Sequence, residues 1–189
     1  MARRTRTEPA APPAFPFVGV DSGYHALRAS RESAGALGGM VRAVLQRVRR
    51  ARVVVDGEEV GAIGRGWMIL LGIGREDDAA IAARLVDKVA GLRAFEDAEG
   101  KTNLAAADVG AEFLVVSQFT LYADLSRGRR PGFAYAALPE QAEPLVEEFA
   151  RLLRGRGFRV ATGRFGADMD VELTNQGPFT IVLTTDPWS

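Results

Sequence analysis

Cysteine is absent from this chain, and histidine occurs once, at His25. Without thiols there is no disulfide framework, no cysteine nucleophile and no zinc site of the Cys type. A Ser-His-Asp or Cys-His arrangement needs an imidazole beside the nucleophile. His25 sits in a stretch without folded patterning, so neither such an arrangement nor a histidine-based metal site is expected. Lysine is nearly missing too. Of 24 basic residues only Lys88 and Lys101 are lysine, and 24 acidic residues bring the net charge to zero. Nothing in that balance points to a bulk nucleic-acid binder, and no DNA partner is expected. Contact with RNA would have to come from a local patch. No apolar run is long enough to span a bilayer. The expectation is a soluble, cytoplasmic protein with no membrane partner and no cofactor. If it is an enzyme, it works with backbone groups, hydroxyls, amides, carboxylates or groups of its own substrate.

What is present divides at Met40. Residues 1–39 include the run from Pro9 to Pro16, rich in proline, and the small residues of Ser30 to Gly39. Neither period 2 nor period 3.6 is sustained there, which predicts a disordered extension. Patterning begins at Met40, so that methionine is expected to be the functional start. Residues 40–189 are expected to form one domain, a length sufficient for a proper core.

Within that domain Val41 to Val48, Ala51 to Val55 and Glu58 to Ile63 read as strands, with Asp56-Gly57 as a hairpin turn. Trp67 to Ile73 is apolar throughout, as in a strand covered on both faces. Asp77-Asp78 supply an N-cap for a helix to about Ala90, with Ile81, Leu85, Val89 and Leu92 on one stripe. A short strand at Leu92 to Glu96 precedes a turn at Asp97 to Gly100 and an irregular connection from Asn103 to Gly110. Glu112 to Val116 reads as a buried strand running on into Ser117-Gln118-Phe119-Thr120-Leu121. A second helix is expected from about Pro139 to Arg154, with proline at its start and arginine at its end. Phe158 to Thr162, Asp168 to Thr174 and Phe179 to Thr185 complete the strands. The class is α/β (α+β), a mixed β-sheet with two helices.

Two arginine groups admit either of two readings. Arg47, Arg49, Arg50 and Arg52 form a solvated face or a phosphate-contacting patch. The loop from Asp124 to Gly132, with Arg127, Arg129 and Arg130, is merely solvated or holds a phosphodiester backbone. Asn175-Gln176-Gly177-Pro178-Phe179-Thr180 likewise reads as a tight turn between strands. It also reads as a recognition element in which glycine lets the main chain approach a ligand.

Five segments stand together in order: Gln46-Arg47-Val48; Ser117-Gln118-Phe119-Thr120-Leu121-Tyr122; Gly128-Arg129-Arg130-Pro131; Gly163-Arg164-Phe165-Gly166-Ala167-Asp168-Met169; and Asn175 to Thr180. Singly they are short. In this combination they closely resemble the D-aminoacyl-tRNA deacylase family, from Met40 to about Thr185. The resemblance implies a barrel-like core and a hydrolase that cleaves the ester between a D-amino acid, or glycine, and the 3′ end of tRNA. It implies a homodimer with its active sites at the subunit interface. Gly177-Pro178 would then be a cis pair whose carbonyls accept the substrate's ammonium and exclude an L side chain. Arg47 would hold those carbonyls by hydrogen bonding. Ser117, Gln118 and Phe119 match the family's pocket strand, and an N–H near Phe119 would stabilise an oxyanion, although Phe119 also reads as core. Thr180 matches a threonine considered as a nucleophile. Assistance from the ribose 2′-hydroxyl suits a chain without an activating base better. Met169 is a pocket residue or core filler, and Asn175 opens the last motif. Leu125 and Gly132 depart from the family pattern, which commonly has small polar residues there. The alternative to a deacylase is a non-catalytic RNA-binding protein on the same scaffold. A general esterase is disfavoured without a triad.

Overall fold

The computed structural model describes residues 41–126 and 128–185. The expected extension over residues 1–39 and the start at Met40 lie outside the described residues, as do Arg127 and the tail after Thr185. No helix among the described residues is long and apolar enough to cross a membrane.

The first strand organises the rest. β1 (Arg42–Val55) is one 14-residue strand, where the sequence suggested two pieces. Its two halves pair with different neighbours on one edge, β3 (Gly66–Gly72) with the first half and β2 (Glu58–Ile63) with the second. β8 (Asp170–Thr184) runs antiparallel along the other edge for nearly the whole length. Asp56 and Gly57 turn the β1–β2 hairpin with φ of 52° and 83°, the left-handed pair that such a turn demands. The register against β8 slips around Val48. A one-residue slip moves side chains to the opposite face. Accordingly, Ala43 and Leu45 join one hydrophobic cluster while Val48, Ala51, Val53 and Val55 join another.

The sheet continues from β3 to β6 (Glu112–Ser117) and β7 (Val160–Thr162), both pairings parallel. Parallel neighbours need crossovers. One crossover contains α1 (Ala79–Ala90), and the other α2 (Pro139–Gly155). Both run the same way along the sheet, so right-handed connections place both helices on one face. There Ile81, Leu85 and Val89 of α1, with Val146, Phe149 and Leu153 of α2, bury Trp67, Ile69, Phe113 and Val115. The opposite face is covered by β2 and β8 curling over Met68, Leu114 and Val116. β2 comes to rest beside β7, leaving a nearly closed, barrel-like sheet. The connection from α1 to β6 is more ordered than the sequence suggested. β4 (Phe95–Glu96) pairs with β5 (Thr102–Leu104), and a short 3-10 turn follows at Ala107–Val109.

Candidate active site

Parallel strands end together, and ligands in such sheets bind outside the carboxyl ends of the strands. That is where the principal cleft lies, with a volume of about 550 Å³. Leu71 and Ile73 at the end of β3, Val116 to Phe119 at the end of β6 and Phe165 to Met169 after β7 supply three walls. Phe133, Ala136 to Pro139 and Ala142, leading into and opening α2, supply the fourth. Ser117, Gln118, Phe119 and Met169 are thus brought together. Arg75 and Asp168 are the charged residues of the lining.

The segment after Ser117 is not a continuing strand. Gln118 leaves the sheet at φ −147° and ψ 80°, and Phe119–Tyr122 coil into a 3-10 turn. The apolar Phe-Thr-Leu-Tyr run looks like a strand locally; its packing decides otherwise. Gln118 N–H donates to the Leu71 carbonyl at 2.8 Å, and Arg42 Nη1 donates to that of Leu121 at 2.8 Å. Glycines at 72 and 74 let the turn close in. A Cβ on Gly72 would meet the Gln118 oxygen at 2.9 Å, and one on Gly74 would meet the Tyr122 hydroxyl at 2.7 Å. Tyr122 OH donates to Asp77 Oδ2 at 3.2 Å, and Gly74 N–H donates to the same oxygen at 2.6 Å. Burial raises the Asp77 carboxyl above its usual range, against these two hydrogen bonds, which lower it. The first amides of a helical turn have no partner within it. The N–H of Phe119 therefore opens the turn at the cleft wall, and the Phe119 ring is 57% exposed.

Arg47, Asn175, Gly177, Pro178 and Thr180 do not line this cleft. They form a second cluster on β1 and β8. Gln46 pairs with Thr180 and Val48 with Asn175, so four residues of β8, Gln176 to Phe179, stand opposite Arg47 alone. The segment is an excursion within one strand, not a turn between two. The Gly177-Pro178 bond is cis, and both residues are exposed. Asn175 clamps the excursion: its Oδ1 accepts from Phe179 N–H at 2.7 Å, and its Nδ2 donates to Thr180 Oγ1 at 3.1 Å. Gln46 Nε2 also donates to Thr180 Oγ1, at 3.5 Å.

Arg47 is only 4% exposed. Its Nε donates to the Gln176 carbonyl at 3.2 Å, Nη1 to that of Ala94 at 2.7 Å, and Nη2 contacts Glu96 Oε1 at 3.4 Å. The guanidinium also lies 4.6 Å from the Phe179 ring centroid. The carbonyl it holds is thus that of Gln176, beside the Gly-Pro pair. Ala94, Glu96 and Phe179 were missed as partners because nothing local in the sequence joins them to Arg47. Phe133 and Arg75 were missed in the cleft for the same reason. Phe165 and Asp168 lie within the segment from Gly163 to Met169, and that segment was their signal. Among the described residues, no cluster of His, Asp and Glu is arranged to hold a metal ion.

A family model described as D-Tyr-tRNA(Tyr) deacylase matches residues 44–184. The D-aminoacyl-tRNA deacylase of Symbiobacterium thermophilum is 58% identical over 147 residues, covering 78% of this chain and 97% of that protein. A solved structure described as c-Myc DNA unwinding element binding protein aligns at a TM-score of 0.70 and 44% identity, covering 75% of this chain and 97% of its own. One described as a probable eukaryotic D-amino acid tRNA deacylase aligns at 0.69 and 18% identity, over 77% and 99% of the two chains, a likeness of fold alone. Both motif-bearing clusters fall inside the matched span, and the chain belongs to the D-aminoacyl-tRNA deacylase family.

Proposed function

We propose that the protein hydrolyses the ester joining a D-amino acid to the 3′ end of tRNA, releasing free tRNA and the D-amino acid. Glycine, having no side chain to reject, is removed from non-cognate tRNA by the same route. The work belongs where tRNAs are charged, in the cytoplasm. The ester carbonyl enters the cleft beside Ser117 and Gln118. As water adds to it, the Phe119 N–H donates to the developing oxyanion. Among the described residues no imidazole or thiol lines the cleft, so the terminal ribose 2′-hydroxyl assists proton transfer. Thr180 Oγ1 accepts from two side-chain amides, which suits a brace rather than a nucleophile.

Selection of the D configuration falls to the Gly177-Pro178 segment of a second copy of the chain, entering the cleft of the first. Its main-chain carbonyls accept the substrate ammonium, and an L side chain would compete with them for space. The observation that carries this reading is the excursion itself: held at its base by Arg47 and Asn175, exposed at Gly177 and Pro178, and outside its own chain's cleft. A rigid, exposed main-chain element has use when another surface receives it.

The test is release of D-tyrosine from D-Tyr-tRNA by purified protein, with L-Tyr-tRNA as control. Rapid release from the first alone is expected; no D-selective release removes the proposal. The description of one structural neighbour as a DNA-binding protein favours a second reading, nucleic-acid binding without catalysis. Binding of tRNA or DNA without turnover would establish that reading instead.

A further inference from the structure

We infer that Arg129 and Arg130, beyond the Asp124–Gly132 pair, form a phosphate clamp, which grips the tRNA backbone just upstream of the 3′ end while the cleft holds the ester. The inference rests on the substrate class proposed above. That pair closes the base. Asp124 N–H donates to the Gly132 carbonyl at 2.7 Å, and Gly132 N–H returns the bond at 2.9 Å. Asp124, the single acid in this stretch, accepts from Ser126 N–H through Oδ1 at 2.9 Å. Beyond that base, Gly128, Arg129, Arg130 and Pro131 are all exposed.

Arg129 and Arg130 make no ion pair among the described residues, unlike Arg52, Arg151, Arg156, Arg159 and Arg164. Two adjacent exposed guanidiniums, in a stretch whose single acid is Asp124, carry local positive potential. The base is also fixed to the cleft. Phe133 directly follows its closing glycine, lines the cleft, and meets the Phe119 ring edge-on at 4.9 Å between centroids. Arg75 adds a further guanidinium to the cleft wall. A substrate entering the cleft by its 3′ terminus trails a chain of phosphodiesters past this lip. Guanidinium forks match phosphate oxygens, and such contacts position RNA without reading its sequence.

The experiment compares the wild type with the double variant Arg129→Gln/Arg130→Gln. Affinity for uncharged tRNA is measured by fluorescence anisotropy over a salt series, beside deacylation of D-Tyr-tRNA and of D-tyrosyl-adenosine, which carries no phosphodiester. The variant is expected to raise Kd and KM for tRNA roughly tenfold with kcat unchanged. It should flatten the slope of log K against log salt by about 2, one for each lost contact. Hydrolysis of D-tyrosyl-adenosine should not change, and Arg129→Lys/Arg130→Lys should restore most of the affinity. Unchanged Kd and slope in the glutamine variant overturn the inference. So does a loss confined to Arg49→Gln/Arg50→Gln, the exposed pair on β1, or undetectable binding of tRNA by the wild type. If the wild type binds tRNA through Arg129 and Arg130 but releases no D-tyrosine, the clamp stands and the proposed function falls.

Discussion

Gly177 has φ of 138°, a region L side chains rarely adopt, and a Cβ there would meet Phe179 N at 2.9 Å and Phe179 Cβ at 3.2 Å. Gly177→Ala must therefore shift the main chain of the excursion by which the proposed filter acts. A small misplacement at a reacting centre costs on the order of 10²-fold, so kcat/KM on D-Tyr-tRNA should fall by about that factor. Thr180→Ala removes only an exposed acceptor that water can replace, and its loss should stay below about tenfold. Equal losses in steady-state assays would contradict a main-chain mechanism. Arg47 gives a second prediction. Its fork serves the carbonyls of Ala94 and Gln176 together, which the single ammonium of lysine cannot reproduce. Arg47→Lys should lower unfolding stability by about 1–3 kcal/mol, the cost of leaving a buried carbonyl unpaired. It should also lower kcat/KM, because the base of the excursion loosens. An unchanged urea midpoint would show that Arg47 only packs. The sequence placed Arg47 in the right motif through its company, but an arginine on a strand looks the same buried or exposed. Its burial follows from the four residues of β8 displaced opposite it, and no local pattern records that.

The 3-10 turn from Phe119 to Tyr122 shows how an element can hide in a sequence. Strands β2 and β3 and helices α1 and α2 were legible because periodicity, caps and the Asp56-Gly57 turn agree with one another locally. The 3-10 turn was not, since its four residues carry strand-like side chains and its shape is imposed by Leu71, Arg42 and Asp77 from elsewhere. The Gly177-Pro178 excursion misled in the opposite sense. Its turn signal is strong, yet β1 continues past it and keeps β8 a single strand. Asp77 offers a measurement of how firmly the 3-10 turn is held. Burial is the largest influence on this carboxyl and raises its pKa in the folded state. The native state therefore keeps the proton at pH values where the unfolded chain has lost it. The stability Asp77 contributes is full below the unfolded value, about 3.9. It declines as pH rises through the raised native value and is level above it. Asp77→Asn keeps an acceptor for Gly74 N–H without the ionisation. Urea midpoints for both proteins across acidic pH should show the wild type losing ground to the variant over that window. A difference independent of pH would mean that Asp77 ionises as it does in water.

At the scale of the whole molecule, the separation of the two clusters predicts a composite site. Take two variants, each defective in one cluster. Gly177→Ala damages the excursion and leaves the cleft intact. Phe119→Pro removes the amide proposed to hold the oxyanion. It should still fold, because proline is tolerated at the first position of a helical turn and Gln118 before it, at φ −147° and ψ 80°, is already outside the helical region that a following proline disfavours. Each variant alone should be nearly inactive. Suppose the site joins one copy's cleft to the other copy's excursion. In a mixed dimer, the intact cleft of the Gly177→Ala chain then receives the intact excursion of the Phe119→Pro chain. One site of the two is restored. With random exchange of subunits, about half the dimers are mixed, so activity should recover to about a quarter of wild type. If each chain uses its own excursion, every site in every mixture carries one defect and nothing recovers. The two variants should first be mixed under mild denaturant and refolded together, with separately refolded samples combined afterwards as the control. Recovery only in the co-refolded sample assigns the filter to the partner copy. No recovery, with mixed dimers demonstrated by mass, returns the excursion to its own chain and leaves its exposure without a use.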